Sequence, residues 1–406
     1  MQIIFFSEIK WQYLRTRKQQ IVRRFPADWQ ILFIEPFTAG KPNSFRVQWD
    51  KNVGFVTLPY FKNFPQRWLQ ILVSFKLVRA LVILGAILWA ARLIRRSGFQ
   101  RADLIMVSNV YAAPLVRWFA KGGVAKFQKS SAPPCVAADK MSALRPVTEK
   151  LRRPVIYDCN DNHLGFPLTP KWAEKYFYSV CGRADRIVCA SQSLAEIIPP
   201  AQQNKIVYIG NGVDSGLFSK NTAPAQALVK FRPRPILLYI GAISEWTDFA
   251  ALEKVAAMHP DKMLVLIGPA VPAVRAPMDK LLAAPNVQHL GVVKHDELPA
   301  YLAAADVCLI PLLKNDLTRF LNPNKLYEYF AAGKPVVSMA LSPDLIALRE
   351  HVFLAEDAAG FAAQIEPALA TAATGAEERR RLAVANDWQE KANQIVALIE
   401  EVCKHR

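Results

Sequence analysis

Ile236-Leu237-Leu238-Tyr239-Ile240, the turn Gly241-Ala242-Ile243-Ser244 and, after a stretch of helical period, Met263-Leu264-Val265-Leu266-Ile267 decide the fold. A run of five apolar residues has no solvent face, so each run reads as a strand covered on both sides, the mark of a parallel sheet. Further runs at 287–290, 307–310 and 336–339 continue the alternation toward the C-terminus. Upstream, 31–35, 104–108, 155–157, 186–190 and 205–209 form a second series, and Met1-Gln2-Ile3-Ile4-Phe5-Phe6-Ser7 reads as a first buried strand, not a signal peptide. Strands spaced by helical segments imply βαβ units, so the expected class is α/β with two Rossmann-like, doubly wound parallel sheets. The expected division is 1–218 for the first domain, a Pro-punctuated linker at 219–235, a second domain at 236–385 and a terminal helix at 386–406.

With 406 residues, 52% apolar and 21% charged, the chain has enough material for two cores, and a disordered tail, a collagenous chain and a small disulfide scaffold are excluded. The six cysteines have no C-x-x-C pair, so no metal site is expected and reduced thiols in a cytoplasmic protein are. The net charge of +17 is lopsided: residues 1–200 hold 30 basic and 12 acidic side chains, residues 201–406 hold 21 and 22. Segment 67–96 combines Trp68 and Trp89 with Lys76, Arg79, Arg92, Arg95 and Arg96. Its uninterrupted apolar core, Ala80 to Ala91, is 12 residues, short of the roughly 20 that a spanning helix needs, so it reads as lying on an anionic membrane surface or as a core helix with a basic rim. Residues 121–153, rich in Gly, Ser, Pro and Lys, read as an irregular insertion.

Ligands of open α/β sheets bind beyond the carboxyl ends of the strands, so the loops after strands carry the candidate chemistry. Asp158-Cys159-Asn160-Asp161-Asn162-His163 places two carboxylates and an imidazole at one strand end, where Asp161, Asp158 or His163 can serve as base, or cap a turn. Asn211-Gly212 follows another strand and lets backbone approach a ligand, or makes a tight turn. The Gly241-Ala242-Ile243-Ser244 loop occupies the phosphate position of a dinucleotide fold but lacks G-x-G-x-x-G, which disfavours a nicotinamide or flavin dinucleotide. In Arg319-Phe320-Leu321-Asn322-Pro323-Asn324-Lys325-Leu326-Tyr327-Glu328, Pro323 opens a helix, Lys325 can meet a phosphate and Glu328, one turn on, can accept from a ribose diol. A solvated amphipathic helix accounts for the same pair.

Five blocks resemble bacterial GT-B glycosyltransferases, in the branch related to teichuronic-acid and exopolysaccharide transferases. They are Ala184-Asp185-Arg186-Ile187-Val188-Cys189-Ala190-Ser191; Asn211-Gly212-Val213-Asp214 with Phe218; Gly291-Val292-Val293 with Glu297-Leu298; Ala305-Asp306-Val307; and Lys325-Leu326-Tyr327-Glu328-Tyr329 with Gly333-Lys334-Pro335. With Tyr157-Asp158-Cys159-Asn160-Asp161 and Trp388 they cover nearly the whole chain. The resemblance implies two Rossmann-like domains facing a central cleft, with a nucleotide-sugar, a UDP-sugar foremost, in the second and an acceptor in the first. It implies that Glu328 binds the donor ribose and Lys325 the diphosphate, and that the loop at Gly241, with Ser244, and the Gly291-Val292 turn enclose diphosphate and base; Arg319, Asn322 and Tyr327, from the same stretch as Lys325, are further candidates for the donor side. The terminal helix of this fold often returns to the first domain.

Two departures bear on mechanism. Many relatives carry a glutamate eight positions before the one matching Glu328, where Phe320 stands here, and Arg and Lys after the glycine of the Gly241 loop, where Ser244, Glu245 and Trp246 stand. The expected activity is metal-independent hexosyl or glucuronosyl transfer, without cofactor, from a UDP-sugar to a lipid-linked or polysaccharide acceptor on the cytoplasmic membrane face. Charge on the leaving diphosphate would fall to Lys325, Arg319 and helix amides. A non-transferring relative, an epimerase or nucleotide-sugar binder, is the alternative; a nucleic-acid binder lacks any recognisable motif.

Overall fold

The computed structural model describes residues 1–12, 15–38, 40–61, 67–122, 152–166 and 169–404. Most of the expected insertion at 121–153 lies outside the described residues. The chain divides into two compact units, one formed by Met1–Ala190, Leu194–Ile209 and Ala392–Arg406, the other by Ser191–Ser193 and Gly210–Lys391.

The first unit is built on an eight-stranded sheet. Its strands are β1 (Gln2–Phe6), β2 (Gln30–Phe37), β3 (Gln48–Asp50), β4 (Val53–Phe61), β5 (Leu104–Val107), β6 (Val155–Cys159), β7 (Arg186–Cys189) and β8 (Ile206–Tyr208), in the order β3-β4-β2-β1-β5-β6-β7-β8. All neighbours are parallel except the β3–β4 pair. Both faces are covered, and the inner strands are buried at nearly every position, as continuous apolar runs require. The last helix, Trp388–Lys404, adds its final turns to this unit, where Arg186 meets Glu401 at 2.7 Å.

The second unit carries β9 (Ile236–Ile240), β10 (Met263–Ile267), β11 (Val287–His289), β12 (Val307–Ile310), β13 (Val336–Met339) and β14 (Phe353–Ala355). Their order, β11-β10-β9-β12-β13-β14, is wholly parallel and reverses direction between β9 and β12. That is the doubly wound order, with its switch point at the carboxyl ends of β9 and β12.

Two expectations need correction. The division falls at Ile209/Gly210 and not at 218/219, because Val213 and Phe218 pack into the second unit's core. Residues 219–235 are likewise no linker: Leu228 is fully buried in that core, and Ala225 N donates to Ala300 O at 2.9 Å. β4 escapes the sequence reading because Gly54 and Pro59 interrupt its apolar run. A Cβ at Gly54 would lie 2.8 Å from Val47 Cγ1, so a larger residue there would displace the Val47 and Trp49 side chains.

Candidate functional site

In the second unit, three glycines close the carboxyl ends of β9, β10 and β11. Gly241 N donates to Ile267 O at 2.8 Å, and Gly268 N donates to Gly291 O at 2.7 Å. All three have positive φ: +156° at Gly241, +137° at Gly268 and +70° at Gly291. A Cβ on Gly268 would sit 2.0 Å from Gly241 O, and one on Gly241 would sit 2.5 Å from Lys325 Nζ. Only glycine allows this approach of backbone to backbone, and a side chain at Gly241 would displace the Lys325 ammonium. Sequence reasoning found Gly241 and Gly291 but missed Gly268, although its signal was available: Gly268 follows Ile267 as Gly241 follows Ile240.

Lys325 and Glu328 come from the helix Asn324–Ala331. Pro323 is its N-cap with extended backbone (ψ 120°), one position before the first-turn place expected. Leu326, Tyr327, Tyr329 and Phe330 are buried, which turns Lys325 and Glu328, one turn apart, away from the core. Tyr329 fixes the helix to the sheet by accepting from Ile240 N at 2.9 Å. Lys325 Nζ donates to Tyr239 Oη at 3.2 Å and lies 4.5 Å over its ring. The positive charge is thus held beside Gly241, at the switch point. Tyr327 is buried, which raises its phenol pKa, and Asn322 hydrogen-bonds it.

At the head of this helix Asn322 Oδ1 and Asn324 Oδ1, and in the Gly241 loop Ser244 Oγ, are buried with no hydrogen-bond partner among the described residues. Buried polar atoms are rarely left so, and the two at the head of the helix fit a polar ligand there. Asn211 Nδ2 donates to Asn322 O at 2.6 Å, so the Asn211 loop meets the segment that leads into the Lys325 helix. Gly212 has a packing reason instead: a Cβ would fall 2.4 Å from Asn386 O and 3.3 Å from the Trp388 ring. Val292 is exposed, and Arg319 lies 4.2 Å over the Phe320 ring. Phe320 itself is buried, its carbonyl accepting from Ser191 Oγ at 2.8 Å. A carboxylate at that position would be taken into the core, so Phe320 is a packing residue here.

Sequence reasoning also passed over His295. Its Nε2 lies 3.6 Å from Glu328 Oε1, and its ring meets Phe218 edge-on at 5.2 Å.

In the first unit the structure separates the two acidic candidates. Asp158 lies inside β6, buried, with Arg17 Nε at 3.0 Å. Its carboxylate is committed to a desolvated ion pair, which removes it as a base toward an acceptor. Asp161 is partly exposed in the loop and accepts from Asn160 Nδ2. His163 is buried, and its carbonyl accepts from Thr169 Oγ1 at 3.1 Å. Further buried charges gather after β1 and within β2: Lys10 pairs with Glu35 at 3.1 Å, Lys18 with Glu8, and Ser108 also donates to Glu8. Short-range pattern gave no sign of this network, because its partners are separated by 10 to 100 residues.

The 67–96 segment forms the helices Arg67–Ser74 and Lys76–Arg96; the Trp68 side chain lies outside the described residues. The second helix has 21 residues, longer than its uninterrupted apolar core suggests, and by length and composition it could cross a membrane. Ala86, Ala90, Leu93 and Ile94 are its buried face. On the opposite side Leu77, Leu81, Leu84 and Leu88 are 73%, 61%, 53% and 46% exposed. At 3.6 residues per turn Arg95 continues that leucine row, with Arg92 and Arg96 beside it, all exposed. Lys76 is exposed and Trp89 half-buried, whereas Arg79 is used within the unit, donating to Val73 O at 3.2 Å and lying 5.0 Å over Trp172.

Residues 234–371 match the family of Glycosyl transferases group 1. TuaH of Bacillus subtilis (strain 168), a protein named for teichuronic acid biosynthesis as a glycosyltransferase, is 29% identical over 260 residues, 60% of this chain and 66% of its own length. The match therefore spans just under two thirds of that relative. Solved structures align over the full length. Sucrose-phosphate synthase from Thermosynechococcus elongatus has TM-score 0.69 at 15% identity, covering 100% of both chains. Anabaena Alr3699/HepE in complex with UDP and glucose has TM-score 0.63 at 16% identity, covering 98% of this chain and 99% of its own. The UDP-forming trehalose-phosphate synthase of Burkholderia xenovorans has TM-score 0.68 at 12% identity, covering 99% of each. The chain has the GT-B fold of these structures, and the part of it that matches glycosyl transferases group 1 is the second unit's residues 234–371.

Proposed function

We propose that the protein is a glycosyltransferase moving a sugar from a UDP-sugar to a lipid-linked or polysaccharide acceptor at the cytoplasmic membrane face, in cell-surface polysaccharide synthesis. The observation that carries the donor half is Lys325 held 3.2 Å from Tyr239 Oη beside Gly241, with Glu328 one turn along the same helix. In this reading the diphosphate lies against Lys325 and the amides at the start of that helix, and the ribose diol donates to Glu328. The acceptor hydroxyl oxygen attacks the anomeric carbon as the bond to the diphosphate breaks. Asp161 takes the hydroxyl proton, and Lys325 stabilises the charge left on the diphosphate without a metal. UDP is the donor nucleotide that the nucleotide-bound neighbours suggest.

The acceptor half rests on the first unit. A surface helix normally turns polar residues outward, yet Lys76–Arg96 turns four leucines outward and ends the row in arginine. A bilayer surface with anionic headgroups satisfies both halves of that face, the leucines in the acyl boundary and the arginines among the headgroups. From Lys51 to Lys129 the sequence has 13 Lys or Arg and one acid, Asp103, which extends the attraction.

Calorimetry with UDP and UDP-sugars tests the donor reading. Binding should weaken at least tenfold on Glu328→Ala with the melting temperature unchanged; equal affinity in the two proteins rejects the assignment. Transfer of labelled sugar to membrane lipid extract then separates an enzyme from a nucleotide-sugar binder, for which binding would occur without product.

A further inference from the structure

We propose that His295 is a positioning residue for Glu328, holding one carboxylate oxygen so that the other is presented to the ribose diol of the donor. The inference rests on the reading that Glu328 receives the ribose. His295 opens the short turn His295–Glu297 in the segment after β11, and its ring is set edge-on to Phe218, 5.2 Å away at 86°. Phe218 is buried in the core of the same unit, at the end of a helical turn capped by Asp214. The imidazole therefore has a fixed backing and cannot swing freely. Its Nε2 faces Glu328 Oε1 at 3.6 Å, and Asp296 Oδ1 lies 3.8 Å from Nδ1. Both side chains are about one-fifth exposed, 21% for His295 and 18% for Glu328, so the contact is partly shielded from water. Neither ring nitrogen has a hydrogen-bond partner among the described residues, and 3.6 Å is just beyond hydrogen-bond range. A carboxylate accepts at two oxygens, so an N–H that closes this short gap onto Oε1 as the donor binds would fix the plane of the group while Oε2 stays available. A glutamate at the end of three rotatable bonds otherwise gives up rotamer freedom when a ligand fixes it, which weakens binding.

The test measures how far the ribose hydroxyls contribute to binding, using UDP and 2′,3′-dideoxy-UDP as calorimetric probes. In the unaltered protein, loss of both hydroxyls should weaken binding about tenfold or more, the scale of hydrogen bonds to a charged acceptor. Glu328→Ala should erase that difference. His295→Phe, which keeps a ring against Phe218 but removes the N–H, should shrink it at least threefold, and His295→Gln, which restores an N–H donor, should recover it. Where His295→Phe lowers the melting temperature, the same comparison in His295→Leu decides. If Glu328→Ala erases the difference and His295→Phe and His295→Leu leave it whole, the positioning role is wrong. If Glu328→Ala itself leaves it whole, the ribose assignment is wrong and the inference falls with it.

Discussion

At Gly268 the backbone conformation and the space around it forbid a side chain together. Its φ of +137° is one that L residues rarely adopt, and a Cβ would meet Gly241 O at 2.0 Å. Gly291 has the conformational constraint alone, φ +70° with nothing within 4 Å of a Cβ. Alanine at Gly291 should therefore cost about 1 kcal/mol, and alanine at Gly268 about 3 kcal/mol, because the carbonyl of Gly241 must also move. Urea unfolding of the two variants checks the order, and equal losses would show that the close approach is not real. Residue-scale legibility followed the same line. Gly241, Lys325 and Glu328 could be picked out because a strand end and one helical turn place them, whereas the Glu328–His295 and Asp158–Arg17 contacts join residues 33 and 141 positions apart, which no local pattern reports.

Elements were legible where their period was undisturbed. The runs at β9, β10, β12 and β13 match their strands end to end, since short, mostly apolar runs between turns admit one reading. β14 is three residues long and β4 contains Gly54 and Pro59, so neither shows a clean run. The helix Lys76–Arg96 was legible in kind but not in orientation, because a helix apolar all round gives no face to read. The fold supplies it: Ala86, Ala90, Leu93 and Ile94 turn inward, and the larger leucines turn out. Replacing Leu77, Leu81, Leu84 and Leu88 together by Gln should leave the melting temperature within a few degrees, since exposed side chains contribute little to the core. The same variant should lose flotation with vesicles containing phosphatidylglycerol. Flotation undiminished by it, or a shift from dimer to monomer in its place, would assign the leucine row to something other than lipid.

At the scale of the whole molecule, each unit buries a thiol whose ionisation links stability to pH. Burial, then the neighbouring Cys189, pushes the Cys181 thiol up to about 12 in the first unit, and burial alone leads the rise to about 12 at Cys308 in the second. Tyr157 and Tyr329 are likewise raised well above the ordinary phenol value, one under each sheet, with burial the largest cause. Below the ordinary thiol pKa near 9 both folded and unfolded chains keep these protons, and the stability contribution is complete. Between about 9 and 12 the unfolded chain releases them while the folded chain does not, so stability falls as pH rises, by up to about 1.4 kcal/mol per pH unit for each thiol. Lys334, whose burial lowers its ammonium pKa, acts in the opposite direction over part of the range. The melting temperature should accordingly hold level from about pH 7 to 8.5 and decline above 9, the onset set by the thiol values. The decline should be shallower in a Cys181→Ala, Cys308→Ala double variant. An identical slope in the two proteins would mean that the thiols ionise freely in the folded chain, and that the sheets around them are open to water.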